Sequence, residues 1–220
     1  MRKSLVGILV MGALVSGGLY ADITITNNSF ETPNLNGGYI YYAGGNGPNS
    51  TLTINGWTYA NANTVNDGGA GIASAGSGFG PATPIPNGSN VLFLQNVSSA
   101  SQEISGFQSG DTYTLSFYAS ERAASTTPQM LTVTIGGTTL FTTIQPPSTS
   151  SYALETASFK ATDSSELLTF QGTVLGGDTT VFVDDVKITP EPGYFGLLIA
   201  GLLGLTLAIV KRHNVRTARE

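Results

Sequence analysis

The side chains available for chemistry in this 220-residue sequence are carboxylates, hydroxyls, tyrosines and a few bases. It contains no cysteine, and its one histidine, His213, lies close to the C-terminal end. The long region before it therefore cannot build a Ser-His-Asp or Cys-His nucleophile or offer imidazole or thiolate ligands to zinc. No phosphate-binding glycine loop stands between a strand and a helix pattern. Any catalysis must rest on carboxylates, tyrosine or lysine.

Two acidic positions are set in apolar surroundings. Glu31 lies in "NNSFETP", and Asp184 and Asp185 lie in "FVDDVKIT" near the end of the β-rich region. Alternation along a strand places Asp184 on one face with Val186 and Asp185 on the other with Val183, so at least one carboxylate is expected to be shielded from water. An unpaired buried carboxylate is costly, and Ca²⁺ prefers carboxylate and carbonyl oxygens.

We therefore predict a structural Ca²⁺ site at Glu31, Asp184 and Asp185, with the choice between the two aspartates left open. The alternative has one aspartate exposed to solvent and the other accepting hydrogen bonds from backbone amides.

Aromatic residues mark candidate positions for ligand binding. Aromatic faces can stack on the C–H surfaces of sugars, with nearby polar side chains bonding the hydroxyl groups. The candidates are Tyr41, Tyr42, Trp57, Tyr59 and Tyr118. For Trp57, which follows "ING" at a strand, a place in the core is the stronger alternative, and Tyr118 could either line a concave sheet or only decorate it.

These side chains must be positioned by strands, because β-patterns fill the region between the two ends of the chain. In "DTYTLSFYAS" apolar and polar residues alternate, and Gly136-Gly137 in "MLTVTIGGTTLFTTI" indicates a hairpin. Nine or ten strands are expected, the first of them in "DITIT", with no intervening helices. We predict an all-β fold, an antiparallel two-sheet β-sandwich with jelly-roll topology.

Two segments do not follow that rhythm. Residues 34–50 and 61–89 are long, nearly uncharged and rich in Gly, Asn and Pro, so they are expected to be loops, either functional or disordered. The second contains Ile72, Phe79 and Ile85, which could pack on the sandwich.

Both ends of the chain carry targeting patterns. Residues 1–21 have the basic start, short apolar run and small terminal residue of a signal peptide, although an uncleaved anchor is the alternative. Residues 193–210 contain no charge and would form about 27 Å of helix, enough to span a membrane. The basic residues of the tail 211–220 favour a cytoplasmic end, leaving the domain 22–189 outside.

The charge of that domain excludes one class of partner. Between residues 22 and 189, twelve carboxylates stand against three bases, giving a net charge of −9. A field of this sign repels phosphate backbones, so nucleic acid is not an expected partner.

The C-terminal features together resemble the PEP-CTERM protein-sorting signal of Gram-negative bacteria. Pro190, Glu191 and Pro192 precede the apolar run, and Lys211 and Arg212 follow it; an ordinary tail anchor is the alternative. The resemblance implies an exosortase as partner, cleavage near the Pro-Glu-Pro motif, and transfer from the inner membrane to the cell surface or an exopolysaccharide matrix.

The domain itself resembles the galactose-binding-domain-like jelly rolls of carbohydrate-binding modules. The motifs in order are "NNSFETP", "INGWT", "NGSNVLFLQN", "SQEISGFQSGDTYTLSFYASER", "TFQGT" and "VFVDDVKIT". The resemblance implies a structural Ca²⁺ held by an acidic residue near the first strand and another in the last, as Glu31 and Asp184 or Asp185 would provide. Some proteins with this sandwich are calcium-dependent cyclases.

The expected function is that of an exported, non-catalytic binding module that engages polysaccharide. The alternatives are a calcium-dependent lyase or cyclase on the same sandwich and a purely structural protein of the matrix.

Overall fold

The computed structural model describes residues 23–45, 50–62, 68–123, 129–143, 151–174, 178–191, 201–202 and 204–206. One compact unit ends at Glu191, and the few described residues beyond it are helical and belong to a second unit. Among the described residues no helix has the length and apolar character needed to cross a bilayer. The predicted signal peptide, most of the predicted membrane helix, and Pro192, Lys211 and Arg212 lie outside these residues.

The described part of the compact unit contains twelve strands in two six-stranded antiparallel sheets. The strands are β1 (Tyr39–Gly44), β2 (Ser50–Ile54), β3 (Trp57–Asn61), β4 (Gly69–Ser74), β5 (Asn90–Gln95), β6 (Ser98–Ser105), β7 (Thr112–Glu121), β8 (Gln129–Ile135), β9 (Thr138–Thr143), β10 (Ala153–Lys160), β11 (Ser165–Val174) and β12 (Thr180–Pro190). Sheet A has the order β1-β4-β5-β12-β7-β10, and sheet B the order β2-β3-β6-β11-β8-β9. The predicted all-β, antiparallel two-sheet sandwich is confirmed.

The main core lies between the two sheets and follows from strand alternation. In β7, the buried apolar side chains are Tyr113, Leu115, Phe117 and Ala119, as "DTYTLSFYAS" predicts. Sheet B contributes its own alternate residues to the same core, including Trp57, which has no exposed surface. Burial of this apolar area is the main stabilising contribution to the domain.

A second apolar cluster lies on the outer face of sheet A, the face directed away from sheet B. Phe93 of β5 and Phe182 of β12 lie in this cluster, and Phe79 covers them from the loop between β4 and β5. The rings of Phe79 and Phe93 stack with centroids 4.1 Å apart. The second predicted loop therefore does lie against the sandwich, through Phe79 and, less deeply, Ile85.

Three expectations about the elements are wrong. Both segments predicted as loops contain a strand, β1 in residues 34–50 and β4 in residues 61–89, and "DITIT" forms none in its described part. Because of its glycines, β4 was not predicted as a strand from the sequence. These glycines are needed for packing, because a Cβ at Gly71 would lie 2.0 Å from the Ile40 carbonyl oxygen. The strand tolerates glycine here because the neighbouring backbone approaches closely.

A β-bulge changes the faces of β12. The register with β7 shifts between Asp184 and Lys187, and Asp185 has a φ of 52°. The extra residue turns Val186 and Ile188 into the inner core beside Val183, whereas simple alternation groups them with Asp184. The predicted assignment of faces is therefore correct before the bulge and wrong after it.

Candidate functional site

The turn from Asn87 to Asn90 is fixed by the carboxylate of Glu31. Glu31 Oε1 accepts hydrogen bonds from the amides of Ser89 (2.9 Å) and Asn90 (2.8 Å), and Oε2 accepts one from the Ser89 hydroxyl (3.1 Å). Gly88 makes this approach possible, because a Cβ there would lie 2.4 Å from the Glu31 carboxyl carbon.

Asp184 holds the same turn from the other side and is completely buried. Its Oδ2 accepts from the Asn87 amide at 2.8 Å, and its Oδ1 accepts from the Asp185 amide at 2.7 Å. Burial raises the pKa of Asp184 to about 7, the two amides oppose the rise, and the charges of Asp185 and Glu31 add to it. Near neutral pH this carboxyl group is therefore poised between its two protonation states.

Asp185 has different partners. Its Oδ1 accepts from the Asn87 side-chain amide at 2.8 Å, and its Oδ2 pairs with the Lys187 ammonium at 2.5 Å. Although partial burial acts in the opposite direction, the bonds from Lys187 and Asn87 and the Lys187 charge hold the pKa of Asp185 below its ordinary value. Asp185 is therefore ionised, and the Lys187 ammonium balances its negative charge.

The three predicted metal ligands thus lie around one turn, and the expected shielding of a carboxylate is confirmed for Asp184. Their chemistry suits Ca²⁺, and the excess negative charge felt by Asp184 is what a cation would relieve. However, no three acidic or histidine side chains converge into a metal-binding group within the described ranges. Carbonyl oxygens would have to complete the coordination, and the Ca²⁺ site stays a prediction.

Three of the five predicted ligand-binding aromatic residues belong to the core. Trp57 and Tyr59 have no exposed surface and Tyr42 is 8% exposed, so none of them offers a free ring face. Trp57 donates its indole N–H to the Thr26 carbonyl at 3.0 Å, and Tyr42 packs on Tyr59. The inner face of the sandwich needs large apolar groups, and these three rings supply them. The assignment of Tyr42 and Tyr59 as binding residues is corrected, and for Trp57 the stronger alternative, a place in the core, is confirmed.

Tyr41 is half-buried on the outer face of sheet A. Its ring packs edge-on against Phe93 and Phe79, and its hydroxyl donates to Gln95. Gln95 in turn donates to Asp178 at 2.7 Å. Tyr41 therefore supports the second apolar cluster, with little of its ring left for a ligand.

Tyr118 is the predicted binding residue that the structure places in a cavity. A cleft of about 290 Å³ opens on the outer face of sheet A and is lined by Pro84, Ile85, Pro86, Tyr118, Ser151 and Tyr152. Tyr118 of β7 lies directly opposite Asp184 of β12 in the sheet register. The cleft and the acidic turn are therefore neighbours.

Tyr152 is a site residue that sequence reasoning did not select. Its hydroxyl oxygen is buried and makes no hydrogen bond of normal geometry with any described residue. Burial raises the pKa of Tyr152 far above its ordinary value, and the Asp184 charge adds to the rise, against a small opposing effect of Ser120. Tyr152 directly precedes β10, and the pairing of β10 with β7 brings it to the cleft.

Two residues of the Pro-Glu-Pro motif are part of the sandwich. Pro190 ends β12 opposite Tyr113, and the Glu191 carboxylate accepts hydrogen bonds from Thr114 and Ser158. Their predicted role in sorting is a separate matter from this geometry and stays a prediction.

Several solved structures are similar to this chain at low identity. TmCBM61 in complex with beta-1,4-galactotriose shows 13% identity and a TM-score of 0.47, covering 78% of this chain and 100% of that one. The adhesin domain of Lys-gingipain from Porphyromonas gingivalis shows 11% identity and a TM-score of 0.46. A family 35 carbohydrate binding module from Clostridium thermocellum shows 9% identity and a TM-score of 0.44. Each of these two comparisons covers 66% of this chain and 100% of the other chain. Likeness at this level does not identify a ligand.

A search of curated proteins finds no match. The family model described as HpiC1-like, HpiC1 cyclase, matches residues 21–195, which include the whole sandwich with its acidic turn and cleft. The chain therefore belongs to the HpiC1-like family.

Proposed function

We propose that the sandwich is a non-catalytic binding module that engages polysaccharide through the cleft beside Tyr118. The observation that carries the proposal is the composition of this cleft. Its volume of about 290 Å³ is close to the lower end of small-molecule sites, which begins at about 300 Å³. Tyrosine and proline rings offer flat C–H and π surfaces to a sugar ring, while Ser151 and the Tyr118 hydroxyl supply polar groups.

A binding assay on residues 22–191 tests this proposal. We expect the wild-type domain to bind one or more glycans on an array with calcium present, and Tyr118→Ala to weaken that binding at least tenfold, about 1.4 kcal/mol. Tyr39→Ala is the matched control, because Tyr39 is 50% exposed on sheet A but does not line the cleft. The absence of any glycan binding would remove the carbohydrate proposal.

The acidic turn supports a second part of the proposal, a structural Ca²⁺ bound by Glu31 and Asp184. The charges of Asp185 and Glu31 both raise the pKa of Asp184, but Asp185 is already paired with Lys187. A cation bound only to the folded state would raise its stability. We expect a higher melting temperature in Ca²⁺ than in chelator, and no such difference in Glu31→Gln or Asp184→Asn. An unchanged wild-type melting temperature would count against the site.

A specific observation also favours a second candidate function, acid catalysis of a cyclisation. The chain belongs to a family described by a cyclase, and Asp184, whose pKa is raised to about 7, interacts with Tyr152 of the cleft. A carboxyl group with such a pKa can donate a proton at neutral pH. Mass spectrometry of metabolite extracts incubated with wild type and Asp184→Asn would reveal turnover that depends on this carboxyl group. Unchanged extracts would leave the binding module as the better account.

The predicted targeting segments suggest a cellular location for this module. We propose that the chain is exported, held in the inner membrane by residues 193–210, and then sorted by an exosortase to the cell surface or extracellular matrix of a Gram-negative bacterium. The support is the order of Pro190, Glu191 and Pro192, the uncharged run and the basic tail. Fractionation should find the full chain at the surface and a chain ending at Glu191 in the periplasm. Equal distribution of the two chains would contradict the proposal.

A further inference from the structure

A cavity separate from the cleft lies along one side of the sandwich, where β10 ends sheet A and β9 ends sheet B. We call it the edge cavity. Its volume is about 350 Å³, within the range of small-molecule sites. Its lining includes Thr138 and Leu140 of β9, Phe159 and Lys160 of β10, and Glu166 of β11. It shares no lining residue with the cleft of the proposed function.

Glu166 supplies a buried charge to the edge cavity. Its side chain is only 5% exposed, and its Oε1 accepts three hydrogen bonds from the turn before β11. The donors are the Thr162 amide at 2.7 Å, the Thr162 hydroxyl at 2.9 Å and the Asp163 amide at 3.1 Å. Burial alone would raise the pKa of Glu166, but these bonds together hold it below its ordinary value. The carboxylate is therefore ionised at neutral pH.

The other oxygen of Glu166, Oε2, has no donor among the described residues. It lies over Gly136 of the hairpin between β8 and β9, where a Cβ would stand 1.8 Å from it. The hairpin turn accepts asparagine as readily as glycine at its first position, but a side chain there would displace Oε2. Because Gly136 and Glu166 both line the edge cavity, a free carboxylate oxygen lies at its wall.

The lining determines which kind of ligand fits. A desolvated carboxylate oxygen without a partner is costly, so the ligand must bring a hydrogen-bond donor to it. Lys160 and Thr138 carry donors for the oxygen atoms of the same ligand, and Leu140 and Phe159 offer apolar contact to its C–H groups. A compact molecule with several hydroxyl groups and an apolar C–H surface is a sugar unit.

We propose that the edge cavity is a second saccharide subsite, in which Glu166 Oε2 accepts hydrogen bonds from the hydroxyl groups of one neutral sugar unit. For the class of ligand, though not for the place, this inference rests on the proposed function. Tyr152 of the cleft and Phe159 of the edge cavity are seven residues apart along β10, so the two subsites are roughly 23 Å apart at about 3.3 Å per residue. A domain with both subsites can join two polysaccharide chains.

Saturation-transfer NMR on the purified full chain in detergent tests the second subsite, because the method detects the bound sugar. The probes are glucose, galactose, mannose, xylose and N-acetylglucosamine, each added alone. We expect Tyr118→Ala, in which the cleft is impaired, still to bind at least one of them. Adding Glu166→Gln should weaken this remaining binding at least tenfold, because the amide oxygen can still hold the turn while a donor replaces the acceptor Oε2.

Two further variants control this experiment. Glu103→Gln is the matched change, because Glu103 is an exposed glutamate of β6 that accepts from Ser165 and does not line the edge cavity. Combined with Tyr118→Ala, it should leave the remaining binding unchanged. Thr138→Phe fills the edge cavity from the exposed start of β9 without altering the turn, so it should block the sugar as Glu166→Gln does. If Glu166→Gln lowers the melting temperature strongly, Thr138→Phe decides the question.

Equal remaining binding in the Glu166 and Glu103 variants would overturn the inference. So would wild-type binding that disappears completely in Tyr118→Ala, and the cleft would then be the single subsite. Binding that is unchanged in Tyr118→Ala but lost in Glu166→Gln would instead refute the cleft and support the edge cavity. No binding of any probe by the wild type or by Tyr118→Ala would refute the edge cavity, and the glycan array would still decide the cleft.

Discussion

Asp184 combines complete burial with a pKa near neutrality, and this makes the stability of the domain depend on pH. Folded Asp184 keeps its proton up to about pH 7, whereas the unfolded chain releases it near its ordinary value of 3.8. Its contribution is therefore fully present below about pH 4 and is lost as the pH rises to 7, a change on the order of 4 kcal/mol. Asp184→Asn cannot titrate and should lack this decline.

Urea unfolding at pH 4.5 and pH 7.5 in the presence of chelator measures the effect. Relative to Asp184→Asn, the wild type should have a lower free energy of unfolding at pH 7.5 than at pH 4.5. The contributions of the other carboxylates cancel, because both proteins contain them. The same difference at both pH values would show that Asp184 is ionised throughout this range.

Gly88 is the residue that lets Glu31 reach the turn. It has a φ of 74°, and a Cβ would lie 2.4 to 2.8 Å from the three carboxyl atoms of Glu31. We expect Gly88→Ala to lower the free energy of unfolding by about 2–3 kcal/mol, combining backbone strain with displacement of the carboxylate. Gly76→Ala is the control, because its φ is 72° but its added Cβ would meet no atom within 4 Å. Equal losses in thermal or urea unfolding would assign the whole effect to the backbone.

The site residues show how far a sequence can be interpreted. The composition of "FVDDVKIT" was enough to predict that at least one carboxylate is shielded, because both faces of the alternating strand carry apolar residues. Local pattern favoured a core position for Trp57, but it could not separate Tyr42 and Tyr59 from exposed binding residues, since core and binding aromatic residues look alike within a single strand. Tyr152 needed the pairing of β10 with β7, which no local signal contains.

The loop between β4 and β5 is the element that closes the outer face of sheet A. Phe79 is 5% exposed and packs on Phe93, and the Arg122 guanidinium lies 5.0 Å from the centre of its ring. We expect Phe79→Ala to cost about 3 kcal/mol and to increase hydrogen exchange in residues 75–89. Phe79→Leu should lose less than half as much. Unchanged exchange in this loop would show that its two ends, not Phe79, hold it in place.

Elements with regular alternation were predictable, and those that depend on glycine or on a bulge were not. β7 and the hairpin of β8 and β9 follow from period-two patterns and from Gly136-Gly137. β4 does not, because its glycines are there to admit the backbone of β1. In β12 one left-handed residue, Asp185, shifts every later side chain to the other face, and residue types alone do not report such a shift.

For the whole molecule, the position of β12 is the decisive feature of the topology. It lies in sheet A between β5 and β7, so it joins the strand group β1-β4-β5 to the pair β7-β10. We expect a chain ending at Asp178 to show no cooperative thermal unfolding, whereas one ending at Glu191 should unfold in a single transition. Circular dichroism and calorimetry on the two chains make the comparison, and a cooperative transition in the shorter chain would contradict it.

The position of β12 also has a consequence for folding during synthesis. During synthesis from the amino end, the eleven strands that precede β12 in the described part of the chain emerge before the strand that unites sheet A. Until residue 190 has been synthesised, the two halves of that sheet have no common partner, so we expect the sandwich to stay incomplete up to that point. The sandwich can therefore close only after β12 has left the ribosome, late in the synthesis of the chain.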